Sequence, residues 1–483
     1  MTKLSLTTTL PYVNAEPHIG FALEIIQADV MARWHRQQGD EVFFNTGTDE
    51  HGLKIYRAAQ AAGQDPQVYV DENAAKFDRL RQALNLSYDS FLRTTDPKHI
   101  AAAQEFWRRC AAAGDIYKKA YVIKYCVGCE LEKTNSELDE NSRCQIHPNL
   151  ELETIDEENY FFRFSKYRKP LLDIYEQRPD FVVPGYRLKE VRNFVQQGPE
   201  DFSISRLKDK LPWGVPVPDD TEHVMYVWFD ALINYVSALG WPNEKYAAWW
   251  PSTQFAGKDN LRQQAAMWQA MLLSAGLEPS KQIVIHGFIT SGGQKISKSL
   301  GNVVDPSSLT ERYGTDALRY YLLRQVSPFE DSDFTIERFE AAYTSDLANS
   351  LGNLVSRVTN MLEKYVSGSF DKNTVFVDAS RSDGVTRNTS QYKFDAALAI
   401  IWAMIADANK RIDDVAPWTL AAKGQLDKLK EFLNDLASRV LNIAELLTPY
   451  LPETSMKIQQ VFVEPVKKAE PLFPRLDESR LKE

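Results

Sequence analysis

The sequence predicts an α/β protein: a parallel sheet interrupted by a cysteine-bearing insertion and followed by an all-α helical bundle. Three observations carry that prediction. Between residues 4 and 47, short apolar runs alternate with a segment of helical period. The rhythm breaks over residues 120–150, where three of the four cysteines fall, and beyond about residue 335 only helical periodicity remains. The chain has 483 residues, 44% apolar and 25% charged, the composition of a globular protein with room for several cores. Its net charge of −10 argues against non-specific wrapping of nucleic acid, although a local basic patch remains compatible with it.

Residues 4–9 read as a buried strand, followed by the loop PYVNAEPHIG and a helix from Phe21 to Gln38 that Gly39 ends. EVFFNTG then reads as a second strand, ended by the polar loop TDEHG. Ligands of parallel sheets bind at the carboxyl ends of the strands, and His18, Gly20, Asp49 and His51 all belong to that edge. From about residue 225 the α/β pattern resumes with VMYVWFDALINYV and FAGKDNLRQQAAMWQAMLL, and then QIVIHGFI as a further buried strand. The loop GGQKISKSLGN follows that strand directly, which predicts the same sheet edge for it. In the bundle, Phe339, Tyr343, Leu347, Leu351, Leu354, Val358 and Met361 step by three or four and form one apolar stripe. More helices are predicted at 394–412, 417–423 and 426–448, and the polar, proline-bearing end as a mobile or surface-draped tail. The expected partition is 1–117 for the first half of the α/β domain, 118–222 for the insertion and 223–335 for the second half. The bundle takes 336–460 and the tail 461–483.

Two elements suit phosphate. Glycines let a backbone approach an anion, and Lys295 and Lys298 supply mobile positive charge on a loop that can close late over a substrate. His18 opens a helix, where an imidazole donor and the helix dipole both favour an anion. Alone, each is compatible with a solvated loop or a plain helix start; together, both following a buried strand, they point to a nucleotide. Cys126-x-x-Cys129 and Cys144-x-x-His147 present three thiolates and one imidazole in two knuckles, the donor set of a closed structural zinc site. Cys110 lies in an amphipathic segment and reads as a buried apolar residue. No stretch of about twenty apolar residues exists, and no secretory leader is visible, so a cytoplasmic location with no membrane partner is expected.

PHIGF resembles the HIGH signature and KISKS the KMSKS signature of class I aminoacyl-tRNA synthetases. TTLPYVNAEPHIG, FNTGTDEHG, YVWFDALINYVSALG, SISRLKDKLPWGVPVP and KISKSLGNVVDP look like the bacterial methionyl-tRNA synthetases, with likeness from residue 1 to about 450. The resemblance implies a Rossmann-like nucleotide-binding catalytic domain that forms methionyl-adenylate from methionine and ATP and passes methionine to tRNA(Met), initiator included. It implies His18, Lys295 and Lys298 as catalytic residues, and His18, Gly20, Phe21, Glu24, Gly257, Asp259 and Lys298 at ATP, which arrives with Mg2+. Leu10, Tyr12, Asp49, Trp228, Ala231, Tyr235, Asn260 and Gln264 match the methionine pocket, with Asp49 holding the ammonium group. One structural Zn2+ on Cys126, Cys129, Cys144 and His147 agrees with the family's single-knuckle members. Read alone, Asn353 and Arg357 are a polar pair on one helix face, and Trp418 after Pro417 is core packing; the resemblance makes all three readers of the anticodon. A monomer is expected, because longer relatives dimerise through an appended domain.

Two departures stand out. Phe21 replaces the second histidine of HIGH, and Asn260 and Gln264 occupy places where the family often has Ile and His. Among alternatives, a cysteine-specific enzyme needs a zinc-binding cysteine before the HIGH motif, and no cysteine precedes Cys110. Enzymes for branched aliphatic amino acids carry a far larger insertion. A zinc-bearing RNA-binding protein without catalysis would leave the phosphate-suited elements unused, and a small-molecule nucleotidylyltransferase would leave the bundle unused.

Overall fold

The computed structural model describes residues 2–14, 16–129, 131–133, 137–295, 303–371 and 376–476. The chain forms two compact units: Met1–Pro17, Asp40–Arg81 and Tyr88–His286 make one, and His18–Gly39, Gln82–Ser87 and Gly287–Glu483 the other.

The first unit is built on a six-stranded parallel sheet. Its strands run in spatial order Ser90–Arg93, Glu41–Thr48, Lys3–Thr8, Thr253–Gly257, Gln282–His286 and Val182–Val183. Chain order reverses between Lys3–Thr8 and Thr253–Gly257, so the topological switch point falls there. The register pairs Leu6 with Thr253 and Thr8 with Phe255, and the Thr9 N–H continues to the Phe255 carbonyl at 3.1 Å. An aromatic core backs this unit: Phe106 stacks on Trp268 at 5.6 Å and meets Phe229 edge-on at 6.0 Å, all three fully buried. The insertion forms a separate four-stranded antiparallel sheet. Its long ladder pairs Ile116–Cys126 with Glu153–Phe162, and the cysteine knuckles sit at one end of that ladder.

The second unit contains the helix Ile19–Gln37 and a bundle that includes helices Asn353–Val366, Ala379–Ser390, Phe394–Val415, Leu426–Leu447 and Pro452–Val461. Two of these, Ala379–Ser390 and Pro452–Val461, lie outside the helices read from the sequence. The predicted apolar stripe is buried at all seven positions. Its four-residue steps from Phe339 to Leu351 cover a stretch, Tyr343–Gly352, that winds as a π-helix, where the wider turn favours longer spacing. At the centre of this unit Arg319 is fully buried, with Nη1 2.8 Å from Asp29 Oδ2. Its remaining donors go to backbone carbonyls: Nε to Tyr450 at 2.8 Å, Nη1 to Leu84 and Nη2 to Pro449, both at 3.1 Å. Burial raises the Asp29 pKa, but Arg319 and Arg33 outweigh it and hold the carboxyl below its ordinary range.

One expectation needs correction. QIVIHGFI is not one strand. It ends at His286, and Ile289–Ser291 starts a different, three-stranded sheet with Gln294–Lys295 and Ser332–Phe334. Gly287 sits at the break, where a Cβ would lie 2.2 Å from the Glu330 carbonyl carbon, so backbones nearly touch there. The tail is draped rather than mobile as far as residue 476: Val466 and Phe473 are buried, and the Tyr343 hydroxyl donates to the Pro474 carbonyl at 2.8 Å.

Candidate active site

In the first unit the carboxyl ends of the central strands carry the residues proposed for the amino acid. Just past Thr8, Tyr12 bridges to Asp49, which follows the strand Glu41–Thr48; the Asp49 N–H donates to the Pro11 carbonyl at 3.0 Å. Leu10 lies on this same crossing segment, and Asp49 is 4% exposed. The Tyr12 ring meets Trp228 edge-on at 6.5 Å. Trp228, Ala231 and Tyr235 fall at helical spacing on the short helices Val227–Leu232 and Asn234–Ser237, which puts them on one face. Gln264, in a π turn over Gln263–Met267, donates through Nε2 to the Tyr235 hydroxyl at 2.6 Å. Across the switch point, the strand Thr253–Gly257 ends at Gly257, and Asp259 and Asn260 follow in a single helical turn. A Cβ on Gly257 would lie 2.8 Å from Asp259 Oδ1, so any larger residue would displace that carboxylate.

Sequence reasoning missed the scaffold that fixes this arrangement. Asp230, on the helix that carries Trp228 and Ala231, is completely buried and accepts from His51 Nδ1 at 2.6 Å and His99 Nε2 at 2.8 Å. His99 completes the chain through Nδ1 to Ser237 Oγ at 2.8 Å. Burial raises the Asp230 pKa, but the two imidazoles outweigh it and take the carboxyl down to about 2. His51 is therefore a tie between the Asp49 turn and the Trp228 helix. Glu50 does similar work: Arg93 grips its carboxylate at 2.6 and 2.8 Å, and Trp213 Nε1 donates to its carbonyl at 2.6 Å. The tetrapeptide TDEH pointed to this turn, but nothing in the local sequence names Asp230 or His99 as its partners.

The phosphate-suited residues belong to the second unit. His18 is the N-cap of Ile19–Gln37, and its Nδ1 accepts from the Gly20 N–H at 3.1 Å. That bond leaves the proton of a neutral ring on Nε2, which makes the ring a donor. A Cβ on Gly20 would meet the His18 ring at 2.9 Å, so the glycine makes room for the cap. Glu24 is buried one turn further on, and Phe21 is half-buried. The Ile19 N–H donates to the Val304 carbonyl at 3.0 Å, which ties the segment leaving the lysine loop to the start of the His18 helix. Gly292 and Gly293, read from the sequence as residues that let a backbone approach an anion, lie in a hairpin turn. Both have positive φ (60° and 74°) and form the two-residue turn of the hairpin Ile289–Lys295, steadied by Asp333 Oδ1, which accepts from the Gly293 N–H at 2.7 Å. Lys295 ends that hairpin, while Lys298 lies outside the described residues.

The knuckle residues converge: the ligand atoms of Cys126, Cys129, Cys144 and His147 all lie within 4.8 Å of one another. His147 Nδ1 is 3.2 Å from Cys129 Sγ and 3.8 Å from Cys126 Sγ, and the Cys129 and Cys144 sulfurs are 3.5 Å apart. A tetrahedral zinc with Zn–S bonds of about 2.3 Å needs edges of about 3.6–3.8 Å, so the cluster fits with little movement. Gly128 makes the closure possible, since a Cβ there would lie 2.7 Å from the His147 ring. Cys110 is fully buried away from this cluster, and burial pushes its thiol up to about 12.

In the bundle, Asn353 is exposed at the start of its helix, directly after the π-helical stretch. Arg357, one turn on, reaches Asp413 at 2.5 Å near the end of Phe394–Val415. A left-handed Ala416 (φ 47°) then turns the chain into Pro417–Ala422, where Trp418 is 49% exposed rather than packed in a core. Among the described residues no helix is long and apolar enough to cross a membrane.

A parallel sheet with a switch point is a common setting for nucleotide-binding enzymes, and the comparisons give the family. The model described as tRNA synthetases class I (M) matches residues 4–139 and 128–359, and the chain belongs to that family. Among its relatives, the methionine--tRNA ligase of Synechocystis sp. is 43% identical over 473 residues, covering 94% of this chain and 88% of the relative. That of Thermotoga maritima is also 43% identical, over 94% of this chain and 74% of the relative. Among solved structures, Mycobacterium tuberculosis methionyl-tRNA synthetase in complex with methionyl-adenylate superimposes with a TM-score of 0.91 at 39% identity, over 95% and 94% of the two chains.

Proposed function

We propose that the protein is a methionine–tRNA ligase: it activates L-methionine with ATP and esterifies the product to tRNA(Met), initiator tRNA included. The observation that carries this is the convergence of Tyr12, Asp49 and Trp228 at the carboxyl edge of the sheet beside its switch point. A buried carboxylate suits an ammonium group, and aromatic walls suit a thioether, which gains from sulfur–aromatic contact.

In the first step a methionine carboxylate oxygen attacks the α-phosphorus of ATP, and the bond to the bridging oxygen of pyrophosphate breaks. No covalent nucleophile from the protein is needed, so catalysis is positioning and charge stabilisation. Asp49 holds the ammonium, with Leu10, Trp228, Ala231, Tyr235, Asn260 and Gln264 around the side chain. His18, Lys295 and Lys298 serve the phosphates; with Nδ1 accepting from the Gly20 N–H, a neutral His18 ring carries its proton on Nε2. Gly20, Phe21, Glu24, Gly257 and Asp259 receive the nucleoside, and Mg2+ arrives as the counter-ion of ATP. Zinc on Cys126, Cys129, Cys144 and His147 is structural: four protein ligands leave no open position, and the ion would hold the insertion's fold. Asn353, Arg357 and Trp418 read the anticodon, Trp418 by stacking, which its exposure allows. In this reading 1–117 and 223–335 form the catalytic domain, 118–222 the insertion and 336–460 the anticodon bundle of a cytoplasmic monomer.

The test is ATP–pyrophosphate exchange with methionine against cysteine, leucine and isoleucine. Exchange should require methionine, and His18→Ala should lower it about 10²–10³-fold, the cost of one lost transition-state donor. Near-normal exchange in His18→Ala, or equal exchange with another of the four amino acids, would refute the assignment.

A further inference from the structure

We propose that Ser237, His99 and Asp230 form a second reactive site, in which an activated serine takes esters of small apolar carboxylic acids. This goes beyond the ligase reading and does not depend on it. The three side chains make one directed chain. Asp230 is fully buried and, with its pKa at about 2, is a carboxylate at neutral pH that can only accept. The His99 ring therefore carries its proton on Nε2, 2.8 Å from Asp230 Oδ1. His51 uses the other oxygen, Oδ2, so His99 keeps an acceptor of its own. That leaves His99 Nδ1 as a lone pair 2.8 Å from Ser237 Oγ, and the serine O–H donates to it. The competing acceptor for that hydroxyl, the Asn234 carbonyl, is 3.4 Å away. Nucleophile, base and orienting carboxylate in this sequence are what activate a serine.

The place of Ser237 makes the chain more than scaffolding. Ser237 is half-buried and, with His99, lines an open cavity of about 430 Å3. No residue assigned to methionine, ATP or zinc lines it. Phe91, Leu92, Pro97 and Ala238 form its apolar wall, which suits a short acyl chain. The helix Pro97–Ala112 begins at the same cavity. Asp96 precedes that helix, but its side chain makes no cap bond; Oδ2 accepts instead from the Arg93 N–H at 3.1 Å. The first-turn N–H groups of Lys98 and His99 have no acceptor among the described residues, and with the Lys98 ammonium they are the donors available to an oxyanion. In the reaction Ser237 Oγ attacks the acyl carbonyl carbon and its proton passes to His99 Nδ1. The ester C–O bond breaks, and the alkoxide leaves with that proton as the alcohol. Water repeats the sequence on the acyl-serine, so the net change is ester plus water to acid plus alcohol.

The test uses the full chain without ATP, amino acid or tRNA. A fluorophosphonate is added, whose phosphorus an activated serine oxygen attacks with loss of fluoride, and the peptides are mapped by mass. Ser237 should carry the phosphonyl group. Hydrolysis of p-nitrophenyl acetate should fall about 10²-fold in Ser237→Ala, the lower end of what general-base assistance supplies. A parent protein unlabelled at Ser237, or hydrolysis unchanged in Ser237→Ala, would reduce the three residues to scaffolding and overturn the proposal. Labelling is read on the parent, so it decides even where Ser237→Ala fails to fold. Neither readout involves methionine activation, so the ligase reading stands or falls separately, on its exchange assay.

Discussion

Asp230 and Asp316 are both buried, one in each compact unit, yet they titrate in opposite directions. Asp230 is taken down to about 2 because two imidazoles and their hydrogen bonds outweigh its burial. Asp316 is pushed up to about 6: burial dominates over the Thr454 N–H bond (2.6 Å) and the nearby Arg319 charge, and its Oδ1 has no partner among the described residues. Desolvation is common to both, so the count of donors decides whether a buried carboxyl is an anchor or a burden. Asp230 fastens the helix that carries Trp228 to the turn that carries Asp49. Asp316 sits beside Arg319 and weakens the second unit whenever it is charged.

The largest effect should come from cutting the anchor. Asp230→Ala leaves His51 and His99 without their acceptor, and a broken buried network of this kind costs about 3–5 kcal/mol. Urea denaturation should show that loss, together with reduced methionine-dependent exchange; an unchanged midpoint would mean that the two imidazoles contribute nothing. Asp316→Asn should act the other way. The Thr454 N–H keeps an acceptor and no charge is buried, so stability at pH 7.5 should rise by up to about 3 kcal/mol, the worth of a shift from 3.8 to about 6. Below pH 4 the same substitution should be nearly silent, because the native carboxyl is then protonated in folded and unfolded chains alike.

The smallest effect is the acid limb. A depressed Asp230 pKa stabilises above the ordinary carboxylate value, and that contribution is lost as pH falls from about 4 to about 2. It is worth about 2 kcal/mol from the shift 3.8 to about 2. Asp316 has the opposite sign: its stabilising contribution is present below pH 4 and is lost as pH rises through 6. Comparing the pH dependence of unfolding in the parent, Asp230→Ala and Asp316→Asn would resolve the two windows. Coincident curves would break the contrast.

What was legible in the sequence follows how local each feature is. The knuckle could be read outright, because four donors within 22 residues and a glycine between them define their own geometry. The apolar stripe of the first bundle helices was equally plain, since periodicity is a local property. Asp49 was placed on the sheet edge by its loop, but Tyr12 and Trp228 were placed only by family likeness; their meeting brings together residues more than 200 positions apart. Asp230 with His99, and Arg319 with Asp29, stayed hidden because an isolated acid on an apolar helix carries no mark of its distant partner. QIVIHGFI misled for a related reason: a continuous apolar run does not reveal that its two halves serve different sheets, and only the contact of Gly287 with Glu330 does.

The Gly292–Gly293 turn has a practical use. No atom lies within 4 Å of where a side chain would begin at either position, and an Asn-Gly pair satisfies the same backbone. A dye attached through a cysteine at position 292 would stand in solvent at the root of the KISKS segment. Its emission would report on the surroundings of that hairpin turn as nucleotide is added.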